Sequence, residues 1–249
     1  MLGENATSTL ARLAVSPLSR AISAVARWAN VDVVGIERLP KGRALLVANH
    51  AFGWDIAFAM NAIERATGRA VFVLGEHLWW KVPVLRDLAS ACGNVDGTPE
   101  NADRLLSGDE LVLVLPGGLR ESMKPRELRY RLLWGGRYGF VRAAIRNRAP
   151  LVPLAAIGAD DVFDLVGNAF SRGRRFVPWL GLPLPRPSFG LPIPHRVHLR
   201  YVIGEPIETG FAESAAADDL AVRSVRWQVE GALHELIDVE LARRAGIEL

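Results

Sequence analysis

The sequence predicts an α/β fold: a single domain with a mixed, mostly parallel central sheet flanked by helices, preceded by an amphipathic N-terminal helix. Three observations predict it. Short apolar runs alternate along the chain with segments of helical period, the pattern of strands joined by crossover helices. Two of those runs, Leu111–Leu115 and Leu151–Ile157, are apolar without alternation, as in strands buried on both faces. At 249 residues the chain also reaches the upper end of what one domain holds, with room for a large core. Residues 1–29 read as the N-terminal helical segment and residues 30–249 as the domain.

The elements follow in order. Leu10, Leu13, Ala14, Leu18, Ala21, Ile22 and Val25 recur at helical spacing over Leu10–Ala29, with Arg12, Arg20 and Arg27 off that stripe and Pro17 a kink or break. Such a basic amphipathic helix suits a membrane interface, and equally well the protein's own core. Val31–Val34 and Ala44–Ala48 read as strands joined by the turn-rich Leu39-Pro40-Lys41-Gly42. A helix over Trp54–Ala66 closes at Gly68. Val71–Leu74 is a short strand, and His77–Ala91 a helix interrupted near Pro83. Thr98 is the expected N-cap of a helix over Glu100–Leu106, with Pro99 at its first position. After the Leu111–Leu115 strand, a helix is expected over Trp134–Arg148, then the Leu151–Ile157 strand. A Pro-rich apolar loop follows at 177–194, then an alternating strand over Val197–Ile203 and a closing helix over Asp218–Ala245.

Composition narrows the function. Half of the residues are apolar and 23% are charged, which suits an ordered globular chain rather than a disordered one. The one cysteine, Cys92, excludes an internal disulfide, makes a reducing compartment the default and reads as a small core residue. A net charge of +3 and a pI near 9.4 fit acidic partners: phosphorylated small molecules or an anionic membrane face. No nucleic-acid-binding motif is present, so nucleic acid is not an expected partner. No apolar stretch approaches the ~20 residues needed to span a bilayer, and Met1–Thr9 lacks the form of a secretion signal. A peripheral location on the cytoplasmic side of a membrane is the expectation.

Chemistry concentrates in two segments. In Val47-Ala48-Asn49-His50-Ala51-Phe52-Gly53-Trp54-Asp55, a histidine and an aspartate stand five positions apart directly after an apolar strand. On a regular helix five positions turn the chain by roughly 500°, so the pair meets only if His50 lies on the turn leaving the strand and Asp55 in the first helical turn. That is where a base and the carboxylate that orients it belong. The second segment, Pro116-Gly117-Gly118-Leu119-Arg120-Glu121, leaves the Leu111–Leu115 strand. Its glycines permit a tight turn and close approach of backbone to a ligand. Their amides suit an anion or a developing oxyanion.

Together, Asn49-His50, four residues, Asp55 and the later Pro-Gly-Gly turn resemble the motifs of the glycerolipid acyltransferase superfamily. Its members carry an Asn-His-x-x-x-x-Asp motif and a Phe-Pro-Glu-Gly-Thr-Arg motif. Here Pro116, Gly118 and Arg120 match the second motif, whereas Leu115, Gly117 and Leu119 depart from it. The Pro-Gly-Gly-x-x-Glu form is similar to a branch near the type-2 diacylglycerol acyltransferases. Gly97-Thr98-Pro99-Glu100-Asn101 and Leu151-Val152-Pro153-Leu154 resemble two weaker blocks in order, so the likeness extends over about residues 30–210.

The resemblance implies a membrane-associated acyltransferase domain that moves a fatty acyl group from acyl-CoA, or an acyl carrier protein, to a hydroxyl of a glycerolipid-like acceptor. His50 would be the base, since imidazole exchanges protons near neutral pH, and Asp55 would hold its ring. Asn49 would cap the helix or orient the turn. Gly117, Gly118, Arg120 and Glu121, grouped with Asn49, would form the substrate site: Arg120 on a phosphate, Glu121 on acceptor hydroxyls. No metal and no tightly held cofactor is implied. Two other readings remain: a non-catalytic lipid-binding protein on the same scaffold, and a thioesterase with water as acceptor.

Minor candidates complete the set. His77 with Trp79 and Trp80 would line an acyl tunnel, lie at the bilayer or serve as packing. His195 and His198 lack acidic companions in sequence, which argues against zinc. Arg172, Arg174 and Arg175 with Trp179 and Phe189 would dock on anionic lipid or form a solvated turn.

Overall fold

The computed structural model describes residues 30–51, 55–81, 93–122, 124–162 and 195–247, with residues 20, 24, 26, 86, 87, 89 and 90 besides. In chain order its elements are β1 (Val31–Val34), β2 (Ala44–Ala48), α1 (Ala57–Thr67), β3 (Val71–Gly75), β4 (Asn94–Asp96), α2 (Pro99–Ser107) and β5 (Leu111–Val114). Then come α3 (Gly118–Ser122), α4 (Gly139–Arg146), β6 (Leu151–Ile157), β7 (Leu199–Ile203) and α5 (Asp219–Arg244).

The strands form one seven-stranded sheet in the order β1-β7-β6-β2-β5-β3-β4. Every pairing is parallel except β6 with β7. The mixed, mostly parallel sheet expected from the sequence is therefore present. β2 lies at its centre between β5 and β6, with Leu46 opposite Leu113 on one side and Val152 on the other. All five β2 residues are buried, because helices cover both faces. Ala44, Leu46 and Ala48 pack with Phe58, Ala59, Met60 and Ile63 of α1. Leu45 and Val47 point the other way, into a layer built from α2, α4 and α5. The period of two along the strand divides one apolar run between two cores.

Local signals account for the helix ends. Thr98 Oγ1 accepts a hydrogen bond from the Asn101 amide at 3.2 Å with Pro99 in the first turn, as anticipated. Asp218 caps α5 by accepting from the Leu220 amide at 2.8 Å. The Gly68 amide closes α1 on the Glu64 carbonyl at 2.9 Å.

Two expectations are revised, and two features of the sheet were not anticipated. Trp134 does not begin a helix: α4 starts at Gly139, and Gly135, Gly136 and Gly139 are poor helix formers. The buried Trp134 instead packs edge-on against Phe140, ring centroids 5.6 Å apart, so its apolarity reports core packing and not helical period. The helix expected over His77–Ala91 begins as a 3-10 turn, His77–Lys81, and much of its remainder lies outside the described residues. β4, an Asn-Val-Asp tripeptide, has no apolar run to announce it. The consecutive strands β1 and β2 do not pair, since β7 and β6 separate them. Of the Leu10–Ala29 helix only residues 20, 24 and 26 are described, and Cys92, Arg172, Arg174, Arg175 and the 177–194 loop lie outside the described residues.

Replacing Leu46 by Ala leaves a void between α1 and the two neighbouring strands, where the side chain is fully buried. The expected cost is about 2–5 kcal/mol of unfolding free energy, measured by urea titration; a loss within error of zero would contradict this packing.

Candidate active site

Parallel pairing brings the carboxyl ends of β2, β5 and β6 to one edge of the sheet, and the chemistry-bearing residues follow those ends. In open α/β sheets this is where ligands bind. His50 stands two residues after β2 and Asp55 shortly before α1. Asp55 Oδ1 accepts from His50 Nδ1 at 3.1 Å, and Asp55 Oδ2 accepts from the Ala51 amide at 2.9 Å. The pair therefore meets with His50 on the turn, but Asp55 lies in the turn before α1 and not in its first helical turn. A carboxylate can only accept, so the proton sits on Nδ1 and Nε2 is the basic nitrogen.

Asp55 is fully buried. Burial by itself raises its pKa. The His50 ring, the Ala51 amide and the Lys124 ammonium outweigh that and hold the carboxyl below its ordinary value of 3.8. The Tyr201 hydroxyl, from β7, donates to the Asp55 carbonyl. Burial beside Asp55 pushes this phenol well above the ordinary tyrosine range, so it remains a donor.

Asn49 and Glu121, expected at the substrate, are turned into the protein. Asn49 Nδ2 donates to the Ala156 carbonyl at 3.0 Å, and Asn49 Oδ1 accepts from the Ala156 amide at 2.7 Å. This pair ties the turn to β6 and leaves Asn49 1% exposed. Glu121 is 0% exposed: Oε1 accepts from the His50 amide at 2.8 Å and Oε2 from the Leu133 amide at 2.7 Å. Both oxygens are committed to backbone, which makes Glu121 a clamp on the His50 turn rather than a hand for acceptor hydroxyls. Burial raises its pKa, offset in part by Lys124.

The two glycines serve that clamp. A Cβ at Gly117 would stand 2.1 Å from Glu121 Oε2 and 2.3 Å from Glu121 Cβ, so no larger residue fits. Gly118 has φ 51°, in the left-handed region, and its amide donates to the Leu115 carbonyl at 2.9 Å. That bond uses one of the two amides proposed for an oxyanion and leaves the Gly117 amide as the candidate. Arg120 is exposed and, among the described residues, has no hydrogen-bond or ion-pair partner. Arg137 lies beside the same turn, with Nη1 donating to the Pro116 carbonyl at 2.8 Å. No motif pointed to Arg137.

Lys124 and Asp160 are the other additions. Lys124 Nζ donates to the His50 carbonyl at 2.7 Å and pairs with Asp160 Oδ1 at 2.7 Å, and both side chains are almost fully buried. Asp160 follows β6 and also accepts from the Tyr130 amide at 2.8 Å. Of the minor candidates, His77 pairs with Asp96 at 3.0 Å on the exposed edge, Trp80 packs on Gly75, and His198 meets Asp32 at 3.0 Å.

An imidazole backed by a buried carboxylate, at the carboxyl end of the central strand of a mostly parallel sheet, stands where an α/β protein binds its ligands. The particular family follows from comparison: the chain belongs to the acyltransferase family, whose model matches residues 30–157 and so contains His50, Asp55 and the Gly117–Glu121 turn. The likeness to the glycerolipid acyltransferase superfamily drawn from the motifs holds at this level. An uncharacterized protein of Mycobacterium tuberculosis is 33% identical over 84% of this chain and 62% of its own length. A mouse protein named "DGAT1/2-independent enzyme synthesizing storage lipids" is 29% identical over 85% of this chain. The chain spans about 60% of the length of these relatives. The crystal structure of the 1-acyl-sn-glycerophosphate (LPA) acyltransferase PlsC of Thermotoga maritima shares the fold, with a TM-score of 0.51 at 18% identity. That match covers 88% of this chain and 78% of that one.

Glu121→Gln replaces an acceptor pair by one acceptor and one donor, so one of the two backbone amides loses its partner. A cost of roughly 1–3 kcal/mol at neutral pH is expected. The raised carboxyl binds its proton more tightly in the folded state, so its contribution to stability grows as pH falls from neutral toward the ordinary value of 4.5. Urea titrations across that range should show the gap between parent and variant widening toward acid. A gap that narrows would contradict the raised carboxyl and show that the two amide bonds outweigh burial.

Proposed function

We propose that the protein is an O-acyltransferase that moves a fatty acyl group from a thioester donor, acyl-CoA or acyl carrier protein, to a hydroxyl of a glycerolipid-like acceptor. The observation that carries the reading is the 3.1 Å contact of His50 Nδ1 with the buried Asp55 carboxylate. An alcohol is a poor nucleophile at neutral pH. Transfer begins when Nε2 of His50 takes the hydroxyl proton as the oxygen attacks the thioester carbonyl. Asp55 stabilises the imidazolium as it forms. The tetrahedral oxyanion then collapses, the thiolate leaves, and the imidazolium returns the proton to it. The Gly117 amide is the candidate donor to the oxyanion, and Arg120 the candidate cation for a phosphate of donor or acceptor. The mouse relative's name, with its reference to storage lipids, supports a glyceride as acceptor.

Incubation of the full chain with radiolabelled oleoyl-CoA and a panel of lysophospholipids, mono- and diacylglycerols and long-chain alcohols, with products read by mass, tests this. His50→Ala, folded by circular dichroism, should lose roughly 10²–10⁴ of the turnover. In Asp55→Asn the amide that keeps the Ala51 bond turns its NH₂ toward Nδ1 and favours the wrong tautomer, so a large loss in kcat is expected there too. A His50→Ala protein as fast as the parent would falsify the assignment. Release of free fatty acid with no acylated acceptor supports a thioesterase instead.

We place the site of action at the cytoplasmic face of an anionic membrane, as a peripheral protein. The basic charge balance supports this, and no helix among the described residues is long and apolar enough to cross a bilayer. Cosedimentation with phosphatidylglycerol vesicles should exceed that with phosphatidylcholine vesicles and fall with added salt; equal binding to both contradicts a role for charge.

A further inference from the structure

The peptide between His50 and Ala51 is held at both ends. Its N–H goes to Asp55 Oδ2 at 2.9 Å, and its carbonyl accepts from Lys124 Nζ at 2.7 Å. The orientation of this peptide decides whether Asp55 can bind the Ala51 amide with one oxygen and the His50 ring with the other. The Lys124 side chain is 1% exposed and its partner Asp160 is 4% exposed. The ammonium lowers the pKa of three buried carboxyls, Asp55, Glu121 and Asp160, and so balances charge where no solvent can. Beyond that balance it supplies a donor to the His50 carbonyl, anchored through Asp160 to the end of β6.

Resting on the reading of His50 as the general base, we propose that Lys124 is a positioning residue for acyl transfer. By fixing the plane of the 50–51 peptide, it sets the aspartate against the imidazole. Lys124 touches neither reacting group and acts through His50. Its loss therefore lowers turnover of bound substrate and leaves substrate affinity nearly unchanged.

The test separates this role from pairing with Asp160. Asp160→Asn keeps the acceptor for the Tyr130 amide, removes the countercharge and sets the reference. Lys124→Met/Asp160→Asn removes both charges, an exchange that buried ion pairs often tolerate. Assays use radiolabelled oleoyl-CoA and the panel acceptor on which the parent is fastest, with folding checked by circular dichroism and thermal melting. Relative to Asp160→Asn, the double variant should lose roughly 10–100-fold in kcat while KM stays within about threefold. Equal kcat values, or a loss confined to KM, overturn the inference. Should the methionine variant fail to fold, Lys124→Gln/Asp160→Asn takes its place. Its amide still donates to the carbonyl, so kcat should stay within about threefold of Asp160→Asn, and a loss above about tenfold overturns the inference. His50→Ala runs alongside: if it turns over as fast as the parent, the base assignment itself fails. If it is inactive while the double variant matches Asp160→Asn, only the role of Lys124 fails.

Discussion

The His50 peptide groups lie where the sheet edge is dry, and an unanswered amide or carbonyl there costs about as much as a lost hydrogen bond. Each is answered by a charged side chain from the segment after β5: Glu121 takes the His50 amide and Lys124 donates to the His50 carbonyl. Asp55 then takes the next amide, that of Ala51, with the oxygen it does not give to the ring. Three successive polar groups of one turn are thus fixed by ionised or ionisable side chains. The imidazole has little freedom left except to stand beside Asp55.

This arrangement depends on the sheet. Parallel pairing in the order β6-β2-β5 puts the carboxyl ends of three strands side by side. Residues far apart in the chain then meet without long loops: Asn49 reaches Ala156, Glu121 reaches His50, and Asp160 reaches Lys124. Helices on both faces exclude water from β2, so the groups at its end interact in a medium of low polarity. That raises both the strength of the contacts and the cost of leaving any group unpaired. The departure at Gly117 from the superfamily's usual glutamate finds a physical setting here. The space that a side chain would fill at Gly117 is occupied by Glu121, folded back beneath the turn.

Much of this was legible in the residues. The long apolar runs of β5 and β6, the Thr98-Pro99 start of α2 and the Asp218 cap of α5 are local features, and each element formed where it was expected. Trp134 was misleading because a buried side chain in an irregular segment carries the same apolar signal as one on a helix. β4 was silent because three residues cannot display a period. At the site, His50 and Asp55 are five positions apart and their contact is short-range in sequence. Lys124 lies 74 positions from His50, and a single lysine beyond a glycine turn reads as one more solvated cation.

The residues alone specify the fold class, the two-sided burial of the central strands, the pairing of His50 with Asp55, and the glycines that a tight turn requires. Periodicity, capping and motif spacing are local, so the chain carries them openly. It takes the folded chain to turn Asn49 and Glu121 inward, to commit one of the two glycine amides, and to form the buried pair of Lys124 and Asp160 behind the histidine. Those outcomes depend on which strand ends become neighbours. Hydrogen bonds and ion pairs at that edge are set by distance in space, and no spacing along the chain encodes it.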